Sequence, residues 1–362
     1  MKRWIAILLA LVMLFSLASC TRHPQQPEIE PPVEESAAPE TPAPTEIPAP
    51  TEAPIPTETP SPTEAPVPTE PPAAAASASP LMWKVTDADG HTLYLFGTIH
   101  VGDERNDAVL DRVSSVLDSC DALAVEFDTV AYEQDTKRAM NDLAQYVLTD
   151  GSLITDYMPD ELYQRACELL EKAGLYPAIF NRYNLAMWAQ LLDSAMLMQY
   201  SDLDSEKGMD SLLIRRAYEK EIPVLDVESS EFQMNLLNSF DNELYLLQIE
   251  AALDGADSYG EDLHSMYELW LSGDRDAFWA LLAGDEEDDV SGDYTEEQIA
   301  LIEDYNRKLL DERNLGMRDR ALEYLASGDT VFFAVGAAHM ANDVGLVQLL
   351  SEAGCTVEPC EY

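Results

Sequence analysis

Two histidines in this chain each stand three residues after a glycine, and each glycine ends an apolar run. The first stretch is Leu93-Tyr-Leu-Phe-Gly-Thr-Ile-His100, and the second is Val331-Phe-Phe-Ala-Val-Gly-Ala-Ala-His339. A third apolar run, Ala122-Leu-Ala-Val-Glu-Phe-Asp128, ends in a carboxylate at Glu126. A carboxylate at that position is costly to bury unless it is paired or bound to a metal. Imidazole and carboxylate together suit a divalent ion such as manganese, cobalt or zinc. Two histidines and a glutamate would leave an open position where a bound water becomes a nucleophile near neutral pH. His100, His339 and Glu126 are therefore the candidate metal ligands. Glu126 is equally a candidate general base. Glu228, which ends Ile222-Pro-Val-Leu-Asp-Val-Glu228, is a second candidate catalytic carboxylate, and Arg313 a candidate for holding a substrate carboxylate or a developing oxyanion. Gly97 and Gly336 let the backbone approach closely beside the two histidines.

Such residues form one site only if their strands share a sheet. Leu81-Met-Trp-Lys-Val, the turn Asp87-Ala-Asp-Gly90 and His91-Thr-Leu-Tyr-Leu-Phe read as a strand, a turn and a returning strand. His91 falls beside that turn and reads as exposed. The spacing of Val109, Leu110, Val113, Val116 and Leu117 predicts a helix, and the apolar run from Ala122 a buried strand. This strand–helix–strand unit implies a right-handed crossover. In an open α/β sheet, ligands bind beyond the carboxyl ends of the strands, so His100 and Glu126 emerge at one edge. The stretch 131–220 reads as a helical insertion capping that edge, with helices over Asp135–Thr149, Pro159–Ala173, Ile179–Tyr200 and Gly208–Glu219. Its Met-rich part, Ala186 to Tyr200, reads as core. His264 has no partner at ligand spacing, and the acidic run 285–293 reads as a solvated loop without EF-hand spacing. Thr295 opens a helix that runs to Asn314, with a further helix from Met317 to Leu325. The expected fold is α/β: a mixed β-sheet with flanking helices, two Gly-x-x-His strand–loop units and a helical insertion.

The N-terminus concerns location. Met-Lys-Arg-Trp followed by the apolar run Ile5–Leu17 makes a secretory signal, too short for an ordinary spanning helix. Leu17-Ala-Ser-Cys20 resembles a bacterial lipobox, which would make Cys20 the lipid-bearing first residue after cleavage of residues 1–20; a plain secretory signal is the alternative. Residues 24–80 hold 18 of the 22 prolines, ten glutamates and no lysine or arginine. Proline blocks both helix and sheet there, so 21–80 reads as an extended, disordered stalk. It would hold the domain at 81–362 away from the outer face of the cell membrane. The formal charge of −47 excludes ordinary nucleic-acid binding, which needs neutralising cations. Cys120, Cys167, Cys355 and Cys360 could oxidise in an exported protein, and no Cys-x-x-Cys pair occurs.

Several of these stretches carry a resemblance. Leu81-Met-Trp-Lys-Val, Leu95-Phe-Gly-Thr-Ile-His-Val-Gly, Val125-Glu-Phe-Asp, Gly208-Met-Asp-Ser-Leu-Leu, Val227-Glu-Ser-Ser-Glu-Phe-Gln, Glu312-Arg-Asn and Val335-Gly-Ala-Ala-His resemble the TraB/PrgY/GumN family over nearly all of 81–358. The animal TIKI branch of that family consists of membrane-tethered metalloproteases using paired Gly-x-x-His motifs and a glutamate. The resemblance places those on Gly97 to His100, Gly336 to His339, and Glu126. It also implies a fold similar to erythromycin esterase and ChaN-like proteins. Other members are linked to pheromone shut-down or polysaccharide production. One departure is Asn342, where the pattern often has a glycine; Gly345-Leu346 is kept.

The reading is thus a metal-dependent hydrolase, most simply a peptidase acting on a peptide or protein substrate at the outer membrane face. Two alternatives stand beside it: a metal-independent, esterase-like hydrolase, and a surface domain that binds peptide or glycan without turnover.

Overall fold

The computed structural model describes residues 81–283, 294–341 and 343–360. The segments expected to be a signal with Cys20 and a stalk, the acidic stretch 285–293 and Asn342 lie outside the described residues.

Six strands form one sheet in the order β4-β3-β5-β2-β1-β6. Strands β1 (Met82–Thr86) and β2 (Thr92–Thr98) are the expected hairpin, paired from Met82 opposite Phe96 to Thr86 opposite Thr92. Gly90 closes the turn at φ +88°, a left-handed conformation that glycine adopts without a Cβ clash. Strands β3 (Ala122–Val125), β4 (Val224–Asp226) and β5 (Val331–Gly336) run parallel to β2. The last strand, β6 (Thr356–Pro359), is antiparallel to β1. The sheet is therefore mixed, with β1 alone running against its neighbours.

The order brings the chemistry together. Strands β2 and β5, which are distant in sequence, are adjacent, with Gly97 opposite Val335 and Thr98 opposite Gly336. On the far side of β5 lies β3, with Val125 opposite Ala334. All six residues of β5 are buried, as its unbroken apolar run implies for a central parallel strand. The stretches carrying His100, His339 and Glu126 consequently leave the sheet at the same edge.

Helices Arg105–Leu117 and Met209–Glu219 pack together, the second also against β3 and β4. Helix Glu312–Ser327 packs on β2, β5 and helix Leu346–Glu352. The remaining long helices pack mainly on one another around Leu185–Tyr200. That helix is apolar nearly all round and buried from Leu185 to Leu197 except at Ser194, so its methionines serve as core.

Several boundaries differ from the sequence reading. The helix expected over Ile179–Tyr200 is two pieces, Pro177–Phe180 and Leu185–Tyr200, because Asn184 caps the second by accepting the Met187 N–H at 3.2 Å. The helix expected over Asp135–Thr149 ends at Ala144. The helix Met209–Glu219 packs on β3 and β4 as well as on the helices Arg105–Leu117 and Thr129–Gln134. The expected break after Asn314 is absent: Glu312–Ser327 is continuous through Gly316, preceded by a π-helical turn at Arg307–Asp311. Glycine costs a helix roughly 1 kcal/mol, and the burial of Arg313, Asn314 and Met317 on one face outweighs it. Thr295 caps its helix as expected and completes a capping box with Gln298.

Candidate functional site

The site is built where β2, β3, β4 and β5 end. His100 lies two residues beyond β2. Its Nδ1 pairs with Asp210 Oδ2 at 2.7 Å, while the Thr98 hydroxyl donates to Asp210 Oδ1 at 2.6 Å. Asp210 stands in the first turn of helix Met209–Glu219, where the helix dipole favours an acid. The helix docks on the His100 loop through the Met209 N–H, which donates to the Ile99 carbonyl at 2.8 Å. Gly208 makes this approach possible, since a Cβ there would fall 2.4 Å from the His100 carbonyl oxygen.

His339 sits in the short 3-10 turn after β5. Its Nδ1 pairs with Asn314 Oδ1 at 2.7 Å, and the Asn314 amide nitrogen donates to the Val344 carbonyl at 2.8 Å. Both Nδ1 atoms thus face oxygen acceptors and carry protons. Each Nε2 is left to the site side of its ring, the arrangement usual for metal-ligating histidines.

Glu126 lies between them. Its Oε1 accepts the Gly336 N–H at 2.9 Å and is 3.8 Å from His339 Nε2. Its Oε2 accepts from Arg313 Nη2 at 2.5 Å and from Gln233 Nε2 at 3.0 Å. Glu228 is brought alongside because pairing continues past β4, with the Glu228 N–H donating to the Glu126 carbonyl at 2.9 Å. Arg313 donates to Glu228 through Nε at 2.9 Å and Nη2 at 2.7 Å, and through Nη1 to the Leu309 carbonyl at 3.3 Å. Gln233 reaches Glu228 as well, at 2.9 Å. The guanidinium therefore acts here on the two glutamates rather than standing open to a substrate.

Gly336 marks the centre. A Cβ on it would lie 3.3 Å from Glu126 Oε1, 3.6 Å from His100 Nε2 and 3.7 Å from the His339 ring. The absent side chain leaves a small space onto which both imidazoles and the carboxylate face. Gly97 plays a different part: its Cβ would press within 3.1 Å of Ala337 Cα, so it lets the two histidine loops touch. The Gly97 carbonyl is held by Trp270 Nε1 at 2.9 Å.

The surroundings are dry. Exposure is 7% at His100, 9% at Glu126 and 3% at both Arg313 and His339. Burial, then the Arg313 guanidinium, pulls the His339 imidazole down to about 3, so the ring is neutral at pH 7. Burial pulls on His100 too, but the Asp210 carboxylate outweighs it and holds His100 above its ordinary value. Burial works against charge on Glu126, yet the Arg313 guanidinium keeps its carboxyl well below the usual range. Two oriented imidazoles and a buried carboxylate are donors of the type that a divalent ion takes.

All the sequence-derived residues, His100, His339, Glu126, Glu228, Arg313, Gly97 and Gly336, thus meet at or beside one site. Asp210, Asn314, Thr98 and Gln233 belong to it and carried no assigned role in the sequence. A separate small cluster occurs at the β1–β2 turn. Among the described residues, the group whose potential ligand atoms all lie within 4.8 Å of one another is Asp87, Asp89 and His91, and it could hold a metal ion. Asp87 Oδ1 there accepts the Asp89 and His91 N–H groups, and Asp87 Oδ2 pairs with His91 Nδ1 at 2.9 Å. His264 is half-buried and contacts Glu268 at 3.2 Å. Cys120, Cys167, Cys355 and Cys360 are free thiols.

Residues 81–359 match the TraB/PrgY/GumN family, and the chain belongs to it. The chain is 26% identical to the uncharacterized protein YbaP of Escherichia coli K12 over 258 residues, covering 71% of this chain and 87% of that protein. The YbaP protein of Shigella flexneri matches with the same identity and coverage. No solved structure matches the chain. Among the described residues, no helix is long and apolar enough to cross a membrane.

Proposed function

We propose that this protein is a metal-dependent hydrolase, acting on peptide bonds at the outer face of the cell membrane, with its reaction centre in the space beside Gly336. The observation that carries the reading is the convergence of His100 Nε2, Glu126 Oε1 and the His339 ring on that space. His100 and His339 would hold manganese, cobalt or zinc, with Glu126 Oε1 beside the ion as the base. Such an ion, when bound, lowers the pKa of water and polarises a carbonyl. Peptide rather than ester cleavage rests on the resemblance to the TIKI branch, as does the relation to the erythromycin esterase and ChaN-like fold. Lipid anchoring rests on Cys20 and its preceding small residues.

The chain's own residues have definite tasks in this reading. Glu126 takes a proton from the attacking water as the new C–O bond forms, and returns it to the amine as the C–N bond breaks. Arg313 and Gln233 fix Glu126 so that Oε1, not Oε2, faces the reaction. Glu228 balances the Arg313 charge from the other side. Asp210 and Asn314 hold the imidazoles in the tautomer that presents Nε2 inward. The low exposure keeps bulk water out and strengthens each of these interactions.

A second reading draws on the Asp210–His100 pair: a carboxylate behind an imidazole also makes a general base without a metal. A peptide library and model esters, incubated with the full chain in chelator and after return of each metal, separate the two. Cleavage that stops in chelator, returns with metal and is absent in Glu126→Gln supports the metallopeptidase. Cleavage that persists in chelator refutes it in favour of the second reading.

A further inference from the structure

The loop that carries His100 and the segment that leads into Asp210 are joined by one buried side chain. Asn106, in the first turn of helix Arg105–Leu117, is fully buried. Its Nδ2 donates to the Lys207 carbonyl at 2.7 Å and reaches the Val101 carbonyl at 3.5 Å. Its Oδ1 accepts from the Tyr267 hydroxyl at 2.9 Å. Two carbonyls on one side and a hydroxyl on the other fix which way the amide points. Val101 follows His100 directly, and Lys207 stands three residues before Asp210. Gly102 and Asp204 exchange backbone hydrogen bonds between the same two segments, at 3.0 and 2.9 Å. A Cβ on Gly102 would collide with Asn106 Nδ2, so the glycine is what admits the amide. One amide thus holds the segments on both sides of the His100–Asp210 pair without belonging to it.

We propose that Asn106 is a positioning residue for the His100–Asp210 pair. His100 Nδ1 and Asp210 Oδ2 are 2.7 Å apart, so a small slip between their segments breaks a short, directional bond. Backbone bonds fix where those segments touch: Gly102 with Asp204, and the Met209 N–H on the Ile99 carbonyl at 2.8 Å. Lys207 lies between these two contacts, and its carbonyl is turned to Asn106. Without the amide that carbonyl loses its donor, and the turn into helix Met209–Glu219 shifts to find another. Asp210, in the first turn of that helix, moves with it. The inference rests on His100 working at the site, whether beside a metal or as a base without one.

The test is proton NMR of the full chain with isotope-labelled histidine, read beside the melting temperature. A proton held between His100 Nδ1 and a carboxylate resonates downfield of the backbone amides, and His100→Ala assigns it. Asn106→Ala should remove that resonance or move it upfield, while the His339 Nδ1 proton, held by Asn314, stays. Val113→Ala, a buried change in the same helix, should lower the melting temperature and keep both resonances. Should Asn106→Ala fold poorly, Gly102→Ala serves, since its methyl displaces the same amide. Cobalt affinity of the reconstituted chain should fall about 10–100-fold in Asn106→Ala. A His100 resonance unchanged in a folded Asn106→Ala or Gly102→Ala chain overturns the proposal, as does its loss in Val113→Ala or its absence from the wild type. A chain that takes up no cobalt but shows the expected resonances refutes the metal reading and leaves Asn106 in its role.

Discussion

Replacing Arg313 by glutamine tests how the site is held together. Arg313 is 3% exposed and donates three charge-assisted hydrogen bonds, two to Glu228 and one to Glu126, besides one to the Leu309 carbonyl. Without it, two buried carboxylates share a single amide donor, Gln233 Nε2. Removing one partner of a buried ionic network typically costs about 3–5 kcal/mol. For a domain of this size that is a fall in melting temperature of roughly 6–20 °C. The pH dependence supplies the sign. In the wild type the folded-state pKa of Glu126 lies below its ordinary value of 4.5, so its stabilisation is fully present above 4.5 and is lost as pH falls through the folded value. In the variant burial acts on Glu126 unopposed by a guanidinium and raises its pKa, so the deficit is largest at alkaline pH and shrinks on acidification. Urea unfolding of both proteins at pH 8 and pH 5 measures this. A deficit below about 1 kcal/mol at pH 8, or one equal at both pH values, would show that Arg313 does not neutralise the two glutamates.

Other expectations follow from the same geometry. Gly336→Ala should leave stability within about 1 kcal/mol, because its φ of −49° suits any residue, while the new methyl fills the space among Glu126, His100 and His339 and abolishes turnover and metal uptake. Gly208→Ala should destabilise by about 1–3 kcal/mol, since its Cβ meets the His100 backbone rather than a side chain that can move. Asp210→Asn should lower metal affinity or activity about 10–100-fold, with near-wild-type melting, by loosening the His100 tautomer. Metal affinity should weaken as pH falls, because the raised His100 pKa lets a proton compete with the ion; titration by calorimetry between pH 6 and 8.5 reads this directly.

Much of this site was legible in the sequence, for identifiable reasons. Apolar runs at Leu93–Phe96 and Val331–Val335, each ended by a glycine, read as buried strands, and a histidine just beyond such a strand leaves the sheet at its carboxyl edge. The Asp-Gly turn announced the hairpin, and Thr295 with Gln298 announced a helix start. What stayed hidden is pairing. Arg313, Glu126 and Glu228 each read as a reactive group, but only the register of β3 against β4 shows that the arginine is engaged by both acids. Asp210 stands where an acid in a first helical turn usually means no more than a favourable dipole contact. Asn314 was masked by Arg313 beside it and by Gly316, which suggested a helix end that burial overrides.

The most direct test of the central claim is metal content. The full chain is reconstituted with manganese, cobalt or zinc, desalted and analysed beside His100→Ala, His339→Ala and His91→Ala. About one metal per chain is expected in the wild type and in His91→Ala, and loss in both other variants. Metal retained by His100→Ala and His339→Ala but lost in His91→Ala would place the ion at the β1–β2 turn and contradict the account. A folded wild type that takes up no metal would contradict it as well.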